Sequence, residues 1–271
     1  MKFIEKLLNA SRQNDTLVCI GLDPDPKLMP NGMGIFEFNK AIIDSTADLV
    51  CSYKLNFAFY EALGAEGIDI LKRTVDYIPN DIPTIGDAKR GDIGNTAKAY
   101  AEAIFSKLNF SATTTNPYLG FDSIEPFIQY KDRGVFILCR TSNPGSADFQ
   151  SLSYQTGGQS SSLFELVATK ASQWDKYGNI GLVIGATYPQ ELKIIRENHA
   201  NMPLLIPGIG AQGGDLEKAV LYGIDANGEK AVINSSRQII FASKGSSFAS
   251  AARKAAVELR EHINYFRKKP L

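Results

Sequence analysis

Pro83-Thr84-Ile85-Gly86-Asp87-Ala88-Lys89-Arg90-Gly91-Asp92-Ile93-Gly94-Asn95-Thr96 begins as a strand and ends as a helix. A β-branched run follows Pro83, and Asn95 is a candidate N-cap for the helical run that starts at Thr96. Strand side chains alternate between faces, so Asp87 and Lys89 are expected to point the same way at the strand's end. Asp92 falls in the glycine-flanked loop that follows. Charges of alternating sign are thus gathered at the mouth of a sheet. A surface ion-pair cluster over a βα turn would show the same local pattern, so the rest of the chain has to decide.

Outward from that stretch the same unit recurs. Apolar strand-like runs at 16–21, 50–56, 110–116, 134–140, 180–185, 203–208 and 230–235 join the one that carries Asp87. Helical periods stand between them, at 36–49, 60–77, 96–105, 121–131, 163–177, 189–199 and 215–222. A helical turn after Arg237 and a long helix over 248–266 close the chain. The strands are continuous apolar runs, as parallel strands covered on both faces must be. Strand then helix, eight times, predicts an α/β fold of the (β/α)8 TIM-barrel class, one domain over residues 1–271. An open doubly wound sheet would want a dinucleotide fingerprint where Gly21-Leu22-Asp23-Pro24 stands. A short amphipathic helix is expected over 1–14. Residues 141–162, rich in Ser, Gly and Gln, are too long for an ordinary βα connection and read as an insertion, either a lid or a linker.

Composition narrows the function. Lys plus Arg equals Asp plus Glu at 29 each, so the basic excess that nucleic-acid or anionic-membrane binding needs is missing. An anionic ligand must then be met by a few placed cations. Cys19, Cys51 and Cys139 lie scattered in apolar runs, which reads as core packing in a reducing compartment without disulfides. His199 and His262 are far apart, and no Cys or His spacing suits a metal site or a Ser-His-Asp triad. The opening residues lack the apolar core of a signal peptide, and no run is long enough to span a bilayer. A soluble, cytoplasmic protein is expected.

A TIM barrel carries its chemistry at the C-terminal ends of its strands. Those ends supply Asp23, Lys54, Asn56, Asp87, Lys89, Asn116, Arg140, Thr141, Ser142, Thr187, Pro207, Gly208 and Arg237. Lys54 and Asn56 repeat the two-apart spacing of Asp87 and Lys89. Charges converging on one rim are costly unless they pair with each other or with a ligand. The loop Pro207-Gly208-Ile209-Gly210-Ala211-Gln212-Gly213-Gly214-Asp215 can bring backbone N–H groups close to an anion. The next loop adds Ser235, Ser236 and Arg237, and these two loops are the usual phosphate site of the fold.

Five motifs then stand in order: Gly21-Leu22-Asp23-Pro24, Lys54-Leu55-Asn56-x-Ala58-Phe59-Tyr60-Glu61, Asp87-Ala88-Lys89-Arg90-Gly91-Asp92-Ile93, Thr141-Ser142-Asn143-Pro144-Gly145 and Pro207-Gly208-Ile209-Gly210-Ala211-Gln212-Gly213. Over 17–237 the chain resembles the orotidine 5′-phosphate decarboxylase family, in its longer-chain subgroup with the Thr-Ser-Asn-Pro-Gly segment. The resemblance implies conversion of orotidine 5′-phosphate to uridine 5′-phosphate and carbon dioxide, the last step of pyrimidine nucleotide synthesis, without cofactor or metal. It implies that Lys54, Asp87, Lys89 and Asp92 form the alternating charge array, with Lys89 as proton donor. Asp23 and Lys54 would hold the ribose, Ser142 or Thr141 would contact the pyrimidine amide, and Asn56 and Pro207 would be further substrate contacts. Gln212, Ser236 and Arg237 would take the phosphate. Asp92, Ile93 and Thr96 would enter the neighbouring subunit's site, which implies a homodimer with shared sites. Ser236 replaces the glycine that many relatives carry before the arginine. Competing readings are a metal-dependent phosphosugar enzyme of the same barrel, such as a keto-gulonate 6-phosphate decarboxylase or a ribulose-phosphate epimerase, and a catalytically silent nucleotide-binding barrel.

Overall fold

Ile180-Gly181-Leu182-Val183-Ile184 is buried at every position. Such a strand must be covered on both faces, here by the barrel interior on one side and by helices on the other. The computed structural model describes residues 1–156, 159–210 and 213–268. Its strands are β1 (Val18–Gly21), β2 (Ser52–Asn56), β3 (Thr84–Arg90), β4 (Ala112–Thr115), β5 (Gly134–Arg140), β6 (Ser153–Thr156), β7 (Gln159–Ser162), β8 (Ile180–Ile184), β9 (Leu204–Ile206) and β10 (Ala231–Ser235). Eight of them close into a barrel in the order β1-β10-β9-β8-β5-β4-β3-β2, with every neighbouring pair parallel. This is the (β/α)8 TIM barrel, and β6 with β7 forms a separate antiparallel hairpin.

Inside the barrel, Cys19, Ile85, Ala112, Phe136, Val183, Leu205 and Val232 pack into one apolar plug. Phe3 and Leu7 of the opening helix Phe3–Gln13 join it from the floor, where the Phe3 ring lies over Gly134, the first residue of β5. Phe3 meets Phe136 edge to face, with centroids 5.7 Å apart. Burying such a ring contributes on the order of 2–3 kcal/mol. With the floor plugged, the C-terminal mouth is the end that stays polar. All three cysteines are free and buried, and burial pushes their thiols up, Cys19 to about 12, so they are packing groups.

The structure departs from the sequence expectation in several places. The helix expected over 60–77 is two, Phe57–Glu61 and Gly64–Tyr77, parted at Gly64, whose φ of +65° breaks the helical path. The helix expected over 121–131 is only a turn at Phe121–Ser123 and a short helix, Glu125–Ile128. It stops early because the Asn179 amide donates to the carbonyls of Ile128, Tyr130 and Arg133, at 3.0–3.3 Å, in place of a further helical turn. Asn95 is not an N-cap: the helix runs Gly94–Glu102, and Asn95 lies inside its first turn. The described residues within 141–162 have structure of their own, the turn Pro144–Asp148 and the paired strands β6 and β7, and Ser162 then opens helix Leu163–Trp174 with a capping box to Glu165. No helix among the described residues is long and apolar enough to cross a membrane.

Candidate active site

Asp87 and Lys89 do meet, but not through the regular alternation expected of a strand. The β3–β4 register pairs Gly86 with Thr113 and then Arg90 with Thr115, so Asp87, Ala88 and Lys89 stand opposite Thr114 alone. Such a bulge bends the strand and re-aims its side chains. Lys89 absorbs it at φ +48°, in the left-handed region that residues with a side chain seldom enter. Its Nζ lies 2.7 Å from Asp87 Oδ1.

Lys54, from the end of β2, reaches the other carboxylate oxygen, Asp87 Oδ2, at 3.2 Å and Asp23 Oδ1 at 3.8 Å. Asp23 Oδ1 also accepts from the Asn56 backbone N–H at 3.1 Å, and Asp87 Oδ1 from the Thr114 hydroxyl at 2.8 Å. Lys54 is 4% exposed and Asp87 9%. Burial alone would push the Asp87 carboxyl up, but Lys54, then Lys89, then the Thr114 hydroxyl outweigh it and hold it well below the usual carboxylate range. Burial likewise pulls the Lys54 ammonium down, and Asp23 and Asp87 more than restore it, so it is raised. The buried pair is therefore ionised on both sides.

Two adjoining cavities open on this cluster. One, of about 520 Å³, has Lys54, Asp87, Lys89 and Thr114 on one side, Thr141 and Ser142 on another, and Leu138, Val183 and Leu205 along its apolar floor. The other, of about 440 Å³, is lined by Asp23, Gly208, Ser235, Ser236 and Arg237. Asn56, Pro207 and Asn234 line both, so the cavities join into one cleft. It has cations at both ends and an apolar patch beside the buried charges. A ligand with an anionic tail and a planar polar head fits that distribution.

The motifs have counterparts in known proteins. The model of the orotidine 5′-phosphate decarboxylase / HUMPS family matches residues 16–252. The chain belongs to this family. The orotidine 5′-phosphate decarboxylase of Dehalococcoides mccartyi is 56% identical over 269 residues, 99% of this chain and 100% of that protein. That of Herpetosiphon aurantiacus is 50% identical, over 94% of this chain and 95% of its own. Among solved structures, the Leishmania donovani OMP decarboxylase superposes with a TM-score of 0.87 at 38% identity, covering 99% of this chain and all of that one.

Within this member of the decarboxylase family, the cleft gathers Asp23, Lys54, Asn56, Asp87, Lys89, Thr141, Ser142, Pro207, Ser236 and Arg237. Asp92, Ile93 and Thr96 line neither cavity. Asp92 accepts from the Ile93 N–H at 2.7 Å and forms no ion pair with a described residue, and Ile93 is 52% exposed. Gln212 lies outside the described residues. The Thr141 hydroxyl is held by Gln150 and Asn143, whereas the Ser142 hydroxyl has no hydrogen bond to a described residue. Ser236 takes a negative φ of −124°, outside the left-handed region that favours glycine, and its hydroxyl donates to the Gly21 carbonyl at 3.0 Å. Arg237 is exposed and pairs with no described residue.

Sequence reasoning passed over Thr114, Asn234 and the apolar floor. Asn234 had a usable signal, an amide directly after the apolar run Ala231-Val232-Ile233 within one strand, and it is buried where the cavities meet. Thr114 had none, since it stands among three successive threonines.

Proposed function

We propose that this chain decarboxylates orotidine 5′-phosphate to uridine 5′-phosphate and carbon dioxide. The observation that carries the reading is the Lys54–Asp87–Lys89 array, with Lys54 and Asp87 buried and Lys89 half-exposed at the mouth, in a cleft that runs on to Arg237, whose guanidinium pairs with no described residue. Arg237 binds the phosphate, helped by the loop in which Gly208 and Gly210 take φ of +100° and +84°. Gln212 and Ser236 complete that end, Ser236 through its backbone N–H because its hydroxyl proton is engaged. Asp23, Lys54 and Asn56 hold the ribose. Ser142 rather than Thr141 reads the pyrimidine amide, because its hydroxyl has no partner among the described residues. Pro207 borders the nucleotide where the two cavities join.

Breaking the bond between C6 and the carboxylate carbon releases carbon dioxide and leaves the electron pair on C6, in an in-plane orbital that the ring cannot delocalise. Stabilisation must then be electrostatic, from a preorganised cation. The Lys89 ammonium is that cation, and it passes its proton to C6 to give uridine 5′-phosphate. The amine left behind regains a proton from solvent. Asp87 orients Lys89, and Leu138, Val183 and Leu205 give the departing neutral carbon dioxide an apolar surface. Neither cofactor nor metal takes part. The chain acts as one domain in the cytoplasm, as a homodimer whose Asp92, Ile93 and Thr96 enter the neighbouring site, which suits the outward position of Ile93.

Ultraviolet absorbance of orotidine 5′-phosphate mixed with the protein and excess EDTA tests the reading. The spectrum should convert to that of uridine 5′-phosphate. No conversion, with or without restored magnesium, would refute it.

A further inference from the structure

We infer that the Thr114 hydroxyl is a positioning group for the reaction, the pin that holds the β3 bulge in the shape that aims Lys89. The inference rests on the function proposed above and adds a residue that reading does not contain. Where β3 bulges, the Lys89 N–H has no regular ladder partner, since Asp87, Ala88 and Lys89 share Thr114 as their single β4 counterpart. The Thr114 hydroxyl oxygen accepts from that N–H at 3.0 Å. The same hydroxyl donates its single proton to Asp87 Oδ1 at 2.8 Å, the oxygen that also receives the Lys89 ammonium at 2.7 Å.

Lys89 is therefore held at both ends through one side chain. Its backbone is tied to the Thr114 oxygen, and its Nζ is tied to a carboxylate that Thr114 orients. A left-handed residue with a side chain persists only where its surroundings over-determine it. Thr114 supplies that constraint from a rigid neighbouring strand and is 1% exposed. One hydroxyl has one proton, and the Lys89 N–H can only donate, so both bonds run in one direction: Lys89 N–H to Thr114 oxygen, Thr114 O–H to Asp87. Serine can reproduce this chain. Valine, of the same shape, cannot.

The experiment compares Thr114→Val and Thr114→Ser with the wild type. In Thr114→Val, kcat is expected to fall by about a hundredfold, the scale of a misplacement near 1 Å at the reacting centre. The affinity for uridine 5′-phosphate should stay within about threefold, because Thr114 aims Lys89 and does not bind the nucleotide. Thr114→Ser should recover kcat to within about threefold of the wild type. A merely structural threonine would lower the melting temperature without separating kcat from product affinity. Thr114→Ala is measured in parallel and decides the matter if the valine variant does not fold. A hydroxyl-free variant with wild-type kcat, or a serine variant as impaired as it, overturns the inference. Failure of the wild type to turn over orotidine 5′-phosphate would instead overturn the underlying function, so the two failures are distinguishable.

Discussion

Replacing Lys89 by alanine separates chemistry from binding more sharply than any other change in the cleft. An ammonium about 3 Å from a developing carbanion, at an effective dielectric of about 20, contributes roughly 5.5 kcal/mol. That is about 10⁴ in rate. Loss of the proton donor removes a further factor of about 10² to 10⁴. Together kcat should drop by at least about 10⁶, below detection in a steady-state absorbance assay. The fold should tolerate the change, since the Lys89 side chain is 47% exposed and Asp87 keeps Lys54 at 3.2 Å and Thr114 at 2.8 Å. An ion pair so open to solvent contributes no more than about 1 kcal/mol. Uridine 5′-phosphate bears no charge at C6, so its affinity, read by calorimetry, should change by less than about tenfold. If turnover and product affinity fell by the same factor, Lys89 would be a binding residue and the mechanism would be wrong.

Other perturbations test other parts of the cleft. Arg237→Ala removes one charge-assisted contact worth about 1.5–3 kcal/mol, so kcat/KM for orotidine 5′-phosphate should fall roughly ten- to 150-fold. Turnover of orotidine, which lacks the phosphate, should be unchanged by that substitution, and an equal loss on both substrates would remove Arg237 from the phosphate site. Asp87 is held below its usual carboxylate range, so the stability its charge contributes is present above the unfolded value of about pH 3.9 and lost as pH falls below it. In urea unfolding, the gap between wild type and Asp87→Asn should therefore be widest above about pH 4 and close in more acid solution; a pH-independent gap would contradict the ionised pair. If sites are shared, mixing inactive Lys89→Ala with inactive Asp92→Asn should restore roughly a quarter of wild-type activity, through mixed dimers with one intact site each. Sites built from one chain would recover nothing.

The barrel was legible because its signal is redundant. Each of eight apolar runs is flanked by helical periods, and errors in single helices, such as the one Asn179 cuts short at Ile128, leave the count intact. The charged rim was legible because Lys54, Asp87 and Lys89 have no reason to lie in buried strands unless they face one another. The bulge was not. Period-two alternation already puts Asp87 and Lys89 on one face, so regular and bulged strands make the same sequence prediction, and only the register against β4 tells them apart. Thr114 was hidden for a related reason. Three threonines in succession suit any strand, and which of them serves the site depends on that same register. The division between Thr141 and Ser142 depended on Gln150, far enough along the insertion that no local motif links it to Thr141.

The charge balance of the cleft bears on how the reaction is driven. An orotate carboxylate set about 4 Å from Asp87 alone would be repelled by roughly 4 kcal/mol at an effective dielectric of about 20, at most about a thousandfold in rate. Asp87 is not alone. Lys54 and Lys89 hold both of its oxygens and Asp23 completes the set, so two carboxylates face two ammonium groups and the described cluster is neutral. An incoming carboxylate meets the cations along with Asp87, and much of that repulsion is cancelled before substrate strain can use it. In the proposed mechanism the carbanion forms at C6, where Lys89 is the nearer charge if it is to deliver the proton, and there the cation's attraction is not offset to the same degree. A neutral array that favours negative charge at one atom more than at the next is a device for binding the transition state better than the substrate. On this account Asp87 earns its place mainly by fixing Lys89, and Thr114 by fixing both.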